Sequence, residues 1–126
     1  MSILESGENY LEAILRLSEH QSEIHAIDVV KELGFSKPSV SIALKKLKDD
    51  GYIEIDGMSH LHLTDSGMAI AKKIYERHKL LTNIFISLGV DEETAESDAC
   101  KIEHDLSVKT FDAIKKAYEH HKGRNN

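Results

Sequence analysis

The architecture of the chain can be worked out from residues 26–51, AIDVVKELGFSKPSVSIALKKLKDDG. Apolar side chains recur at helical spacing before and after Gly34, which predicts a short helix over Ala26–Leu33 and a longer helix after the glycine. Gly34 is the residue expected just beyond a helix C-terminus. Ser36 is a favourable N-cap for the second helix, and Pro38 is tolerated in its first turn because an N–H there has no helical partner. Two helices joined in this way predict a helix-turn-helix.

The flanking segments extend this motif to a winged helix-turn-helix. Residues 52–55 and 60–63, YIEI and HLHL, alternate apolar and polar side chains around Asp56-Gly57, which predicts a β-hairpin. Before the motif, helical periodicity from Ile3 to about Glu19 predicts a first helix. We expect the ring of Phe35 to lie between the two helices of the turn.

The remainder of the chain predicts three more helices. Capping residues place them at about residues 65–88, 91–106 and 108–118, and the polar tail from His120 is expected to fray. The predicted fold is therefore mainly α with a small β-hairpin wing. We expect a winged helix-turn-helix domain over residues 1–65 and a helical domain over residues 66–126.

Charge is distributed unevenly along the 126 residues. The net charge of −6 disfavours a nucleic-acid partner, but residues 34–48 contain four lysines and no acid. Acidic residues concentrate near the N-terminus and over residues 91–98. This separation fits DNA binding at one place and cation binding at another. A single cysteine, no signal peptide and no long apolar run predict a cytoplasmic protein.

The helix after Gly34 is the candidate DNA-reading element. Its outer N-terminal face carries small side chains that can approach bases and phosphates, and its later lysines suit the phosphate backbone. Ile42 is expected to point outward, where it can touch a thymine methyl group. His60 and His62 of the wing are expected to be surface strand residues rather than ligands. The candidate DNA-binding residues are Ser36, Lys37, Pro38, Ser39, Ser41, Lys45, Lys46 and Lys48.

The sequence CKIEH at residues 100–104 predicts a cation site. A thiol, a carboxylate and an imidazole at positions i, i+3 and i+4 share one face of a helix, and all three bind divalent transition metals. The preceding helix can supply an imidazole, and the first helix can supply oxygens. A lone cysteine is also often a small buried apolar residue, and Glu-His pairs are common on surfaces. The candidate ligands are Asn9, Glu12, His78, Cys100, Glu103 and His104.

Five segments of the chain resemble the diphtheria-toxin-repressor and manganese-transport-regulator family of metal-dependent repressors. They are residues 8–14 (ENYLEAI), 34–41 (GFSKPSVS), 63–67 (LTDSG), 77–81 (RHKLL) and 98–104 (DACKIEH). The resemblance covers roughly residues 5–115. It implies a homodimer, paired through its C-terminal helices, that binds a palindromic operator of metal-homeostasis genes when Fe(II) or Mn(II) is bound.

The resemblance also implies a ligand set. The principal metal site of the family falls on Asn9, Cys100, Glu103 and His104, and Glu12 and His78 occupy positions used by manganese-type members. Asn9 stands where manganese sensors have Asp and iron sensors have Met, and Cys100 stands where manganese sensors have Glu. Because a thiolate favours softer ions than Mn(II), we expect Fe(II) as the preferred ion and Mn(II) as the second.

Two other classes of protein are compatible with parts of this pattern. A winged-helix regulator that senses a small organic ligand would leave the Cys–Glu–His face merely packed, and a metal titration of DNA binding distinguishes it. A metalloenzyme or metal carrier is disfavoured because the sequence contains no His-Glu-x-x-His motif, no glycine-rich phosphate loop and no recognisable Ser/His/Asp set. A nucleophilic Cys100 beside His104 is chemically conceivable, but ligation explains the same residues more simply. The expected protein is a repressor and not an enzyme.

Overall fold

The computed structural model describes the backbone of residues 5–124 and the side chains of residues 6–122. Within these residues the chain forms six helices and one antiparallel two-stranded sheet, which confirms the predicted fold class. The described helices include none that is long and apolar enough to cross a membrane. The elements are α1 (Glu5–Ser18), α2 (Ala26–Leu33), α3 (Lys37–Asp49), β1 (Ile53–Ile55), β2 (Leu61–Leu63), α4 (Asp65–Ser87), α5 (Glu92–Ile102) and α6 (Val108–Arg124).

The chain divides into two compact units, and the boundary lies within α4 between Lys73 and Ile74. In the first unit, α1, α2, α3 and the hairpin surround one hydrophobic core. Burial of an aliphatic or aromatic side chain stabilises a fold by about 1.5–3 kcal/mol, so this core is the main source of the unit's stability. Its residues recur at helical spacing in the helices and at the ends of the strands: Tyr10, Leu11, Ile14, Ile24, Val29, Val40, Leu44, Leu47, Ile53, Leu61 and Ala71.

The turn between α2 and α3 has the geometry that the sequence predicts. Gly34 adopts φ 72° and its N–H bonds to the carbonyl of Val30, and the Oγ of Ser36 accepts a hydrogen bond from the N–H of Ser39. The prediction for Phe35 is wrong. Its side chain is exposed, and its ring lies against Tyr10 with centroids 5.9 Å apart.

The hairpin pairs Ile53 with Leu63 and Ile55 with Leu61. The N–H of Leu61 bonds to the carbonyl of Ile24 at 2.8 Å, which joins the hairpin to the segment before α2. At the start of α4, a Cβ atom on Gly67 would lie 2.0 Å from the carbonyl oxygen of Tyr52. Only glycine permits this approach.

The second unit contains the rest of α4 together with α5 and α6. Its buried apolar residues include Ile74, Leu81, Ala95, Ala99 and Phe111. The Oδ2 of Asp91 caps α5 through the N–H of Thr94, and the Oγ of Ser107 caps α6 through the N–H of Thr110.

Three predicted helix limits concern the end of α5, the end of α6 and the start of α1. The predicted end of α5 near Leu106 is wrong, because the helix ends at Ile102 and the carbonyls of Glu103 and Leu106 instead accept hydrogen bonds from Arg77. The predicted end of α6 near Tyr118 is also wrong. The helix continues to Arg124, since residues 119–122 contain no helix-breaking side chain. The predicted start of α1 at Ile3 lies outside the described residues.

Candidate metal centre and DNA-binding surface

The buried carboxylate of Glu103 is the centre of the candidate metal site. Glu103 is 0 % exposed and follows directly after α5, with its N–H still bonded to the carbonyl of Ala99. A carboxylate is costly to bury unless a hydrogen-bonding or charged partner, or a metal ion, compensates it. Its position just beyond the helix end allows the side chain to point to the interior.

Two imidazoles flank this carboxylate. The Nδ1 of His78, from α4, lies 2.9 Å from one oxygen of Glu103, and the Nε2 of His104 lies 3.4 Å from the other. The side chains of both histidines are almost fully buried. The structure therefore brings together three of the predicted ligands within one unit.

The donor set of this cluster fits a divalent transition metal. Imidazole nitrogen and carboxylate oxygen suit Mn(II), Fe(II), Co(II) and Zn(II). The Oε1 of Glu103 is buried and makes no hydrogen bond in the described structure, so it retains unused capacity as a ligand. His78 and Glu103 are among the described acidic and imidazole side chains close enough to one another to hold a cation.

The other predicted ligands lie in different surroundings. Cys100 is on α5, one turn before Glu103, and its side chain is exposed, whereas Glu103 is buried. In the first unit, Glu12 of α1 is buried and Asn9 is half-buried one turn before it. The prediction that Cys100, Glu103 and His104 share one continuous helix is wrong, because α5 ends at Ile102.

Sequence reasoning missed Arg77, which is 3 % exposed and bonded to the segment that carries Glu103. The sequence contains a signal for it. Ile74, Arg77 and Leu81 recur at helical spacing, so Arg77 falls on the apolar face of α4, where a charged side chain requires an explanation.

The candidate DNA-binding surface is the outer face of α3 in the first unit. Val40, Leu44 and Leu47 form its buried stripe. Ile42 is 72 % exposed, as predicted. The first turn of α3 contains no acid, so the positive end of the helix dipole is available to a phosphate. All the predicted DNA-binding residues are exposed on this helix or at its N-cap: Ser36, Lys37, Pro38, Ser39, Ser41, Lys45, Lys46 and Lys48.

Asp56 organises the wing. One of its oxygens accepts hydrogen bonds from the N–H groups of Met58 and His60, at 2.9 and 3.0 Å. The other lies 2.9 Å from the Nε2 of His62 and 3.3 Å from the Nδ1 of His60. The hydrogen bond from His62, assisted by those from the backbone, holds the pKa of Asp56 well below its usual range. His62 is exposed and His60 is half-buried. Both imidazoles contact Asp56, so each has a structural role in the wing.

An exposed, lysine-bearing helix with a wing, in a chain that also contains a buried His–Glu–His cluster, is the arrangement of a metal-responsive transcription regulator. Comparison with known proteins agrees. Residues 2–61 match the family described as the iron dependent repressor N-terminal DNA binding domain, and residues 64–124 match the iron dependent repressor metal binding and dimerisation domain. The chain belongs to this family of metal-dependent transcriptional repressors, as its sequence motifs indicate.

Individual relatives support the assignment. The chain is 35% identical over 108 residues to the transcriptional regulator MntR of Escherichia coli O6:H1, covering 86% of this chain and 70% of that protein. It is also 35% identical over 113 residues to an uncharacterized HTH-type transcriptional regulator of Methanocaldococcus jannaschii, covering 88% and 90%. These relatives are named as transcriptional regulators and not as enzymes.

A solved structure also supports the assignment to this family. A manganese-dependent transcriptional repressor in complex with manganese superposes with a TM-score of 0.80 at 26% identity over 88% of this chain. The chain spans about half the length of that solved protein, 51%.

Proposed function

We propose that the protein is an Fe(II)- or Mn(II)-dependent repressor that binds palindromic operators of metal-homeostasis genes as a homodimer. The observation that carries this proposal is the buried carboxylate of Glu103 between the imidazoles of His78 and His104. The chain also presents the exposed, lysine-bearing α3 that DNA binding requires. Since a repressor acts on chromosomal DNA, its proposed location is the cytoplasm.

The proposed metal ligands are His78, Glu103 and His104 together with Asn9, Glu12 and Cys100. The burial of these three side chains and the distances of both imidazoles from the Glu103 carboxylate support them most directly. Glu12 is supported by its burial as a carboxylate, and Asn9 and Cys100 by their matching positions in the family motif. When bound, a divalent cation supplies positive charge that offsets the carboxylates.

The choice between the two ions depends on Cys100. A thiolate ligand favours Fe(II), whereas imidazole and carboxylate ligands alone suit Mn(II). We propose Fe(II) as the preferred ion and Mn(II) as the second. The manganese-bound repressor of similar fold supports the inclusion of Mn(II).

Metal and DNA binding are proposed to be coupled. The proposed ligands belong to both parts of the chain: Asn9 and Glu12 lie in the first unit, which carries α3, and the others lie in the second. Because such coupling is reciprocal, operator DNA is expected to tighten metal binding by the same factor as the metal tightens DNA binding.

The DNA is proposed to be bound by residues 1–65 of two copies of the chain, while residues 66–126 supply most of the metal ligands and pair the chains. Paired recognition helices must lie roughly 34 Å apart to enter successive major grooves. The second unit exposes several large apolar side chains, which supports pairing through its helices. They are Ile86, Leu88, Ile102 and Val108.

An anaerobic binding titration tests the proposal. An operator is first selected from random duplexes in the presence of Mn(II), and its affinity is then measured by fluorescence anisotropy with no metal, Mn(II), Fe(II) or Co(II). We expect Fe(II) and Mn(II) to tighten binding about 5- to 150-fold, the usual range of allosteric coupling. Glu103→Gln should abolish this gain, and Glu96→Gln, which changes an exposed acid on α5, should retain it. Equal affinity with and without metal would instead favour sensing of an organic ligand.

A further inference from the structure

Arg77 is a buried cation next to a proposed ligand. It precedes His78 on α4 and is 3 % exposed. A guanidinium keeps its charge at any physiological pH, so its burial costs free energy unless hydrogen bonds compensate it. A side chain retained in this position therefore needs a local structural reason.

The hydrogen bonds of Arg77 go to the main chain around Glu103. Its Nη1 donates to the carbonyl of Glu103 at 3.0 Å and to the carbonyl of Leu106 at 2.6 Å. These two carbonyls bound the short segment between α5 and α6. A cation at the C-terminal end of α5 is also favoured by the helix dipole.

An aromatic ring fixes the guanidinium from another side. The Cζ of Arg77 lies 5.0 Å from the centroid of Phe111, a buried residue in the first turn of α6. This is within the range of a cation–π contact, which is stronger where water is excluded. Arg77 thus connects α4 to the end of α5 and to the start of α6.

The contacts of two neighbouring residues converge on Glu103. Arg77 binds its main-chain carbonyl, and His78 contacts its carboxylate at 2.9 Å. The segment bonded to Arg77 also carries His104, whose Nε2 lies 3.4 Å from the other carboxylate oxygen. Loss of the guanidinium would release the segment 103–106, which carries both ligands, without changing the chemical identity of any ligand side chain.

We propose that Arg77 is the positioning residue of the metal centre: without touching the ion, it holds residues 103–106 so that Glu103 and His104 are arranged for metal before metal arrives. This inference rests on the proposed function of the His–Glu–His cluster. It predicts that Arg77 sets metal affinity more strongly than its effect on overall folding accounts for.

The test is direct Mn(II) binding to the full chain without DNA, followed by the EPR signal of free Mn(II). Arg77→Gln should weaken Mn(II) binding by roughly 10- to 100-fold, as loss of an outer-shell partner does. Arg77→Lys, which restores the charge but not the forked geometry, should recover part of the loss. Lys79→Gln removes an exposed cation from the same helix and should bind like wild type.

Thermal unfolding of the metal-free variants, with binding measured well below each midpoint, separates positioning from general stability. A lower midpoint with Mn(II) affinity within twofold of wild type would show that Arg77 is only structural. If Arg77→Gln does not fold, Arg77→Lys decides the matter, and wild-type affinity in that variant overturns the inference. Failure of the wild-type chain to bind either Mn(II) or Fe(II) would overturn the proposed function as well, whereas wild-type binding together with an unaffected Arg77→Gln variant overturns only this inference.

Discussion

At Gly67 a single hydrogen atom in place of a side chain allows α4 to begin against Tyr52. A Cβ atom there would lie 2.0 Å from the carbonyl oxygen of Tyr52, a backbone atom that cannot rotate away. We expect Gly67→Ala to lower the free energy of unfolding by about 1–3 kcal/mol, as overpacking does. Urea denaturation followed by circular dichroism measures this loss.

Gly57 offers a matched control for this prediction. It lies in the hairpin turn, and a Cβ atom added there meets nothing within 4 Å. Gly57→Ala should therefore change stability by no more than about 0.5 kcal/mol. Equal losses in the two variants would contradict the steric explanation.

Cys100 is the proposed ligand whose thiolate decides between Fe(II) and Mn(II). If its thiolate binds the ion, the Co(II) complex of the wild-type chain should show a thiolate-to-cobalt charge-transfer band in the near ultraviolet. Cys100→Ala should remove the band. It should also weaken Co(II) binding more than Mn(II) binding, because a thiolate ligand stabilises bound Mn(II) less than bound Co(II). Anaerobic absorption titrations measure both effects. A wild-type Co(II) complex without the band would exclude Cys100 and favour Mn(II) over Fe(II).

The sequence predicted the composition of the buried cluster better than its surroundings. Glu103 and His104 were identified from their spacing to Cys100, and His78 from the helix before them. Spacing could not show that Cys100 would be exposed, because exposure depends on where α5 ends and which side of it packs. The sequence also could not show which groups Arg77 binds, because its partners are main-chain carbonyl groups and every residue has one.

At the scale of elements, the wing depends on one ionised side chain. Asp56 accepts hydrogen bonds from His62 and from backbone N–H groups, and these hold its pKa below the usual range. A carboxylate with a lowered pKa in the folded state stabilises that state fully above its unfolded-state pKa of about 3.9. This contribution is lost as the pH falls through the lower, folded-state pKa.

We therefore expect Asp56→Asn to be less stable than wild type at pH 5, and the difference in unfolding free energy to shrink towards pH 3. Urea denaturation at a series of pH values gives the difference directly. Asp49→Asn, which removes an exposed acid from α3, is the control and should show a smaller pH dependence. A difference that stays constant from pH 5 to pH 3 would refute a stabilising role for the ionised carboxylate.

Local signals predicted most of the helices and strands. The bounds of α2 and the caps at Ser36 and Asp91 follow from glycine, serine and aspartate chemistry within a few residues, so the sequence sufficed for them. The end of α5 is tertiary in origin. The carbonyls of Glu103 and Leu106, which follow the helix, bond to Arg77, more than twenty residues away, and no local sequence pattern indicates that partner. The core of this unit includes Val29 of α2 and Val40 of α3, whereas Phe35 lies outside it, exposed and against Tyr10.

At the scale of the whole molecule, the proposal requires two chains, and the apolar residues exposed on the second unit allow that requirement to be tested. Leu88, just after α4, is 75 % exposed, and Val108, at the start of α6, is also exposed. If chains pair through these residues, Leu88→Glu and Val108→Glu should each raise the dimer dissociation constant at least tenfold, because burial of a carboxylate at an apolar interface is costly. Sedimentation equilibrium measures that constant.

Met58→Glu changes a residue of matched exposure, 74 %, at the tip of the wing, and should leave pairing intact. Mn(II) binding by both test variants should be retained while operator affinity falls, since each chain keeps its cluster but loses its partner. Variants that remain dimeric would place the pairing surface elsewhere, and variants that become monomeric yet bind the operator normally would remove the need for a dimer.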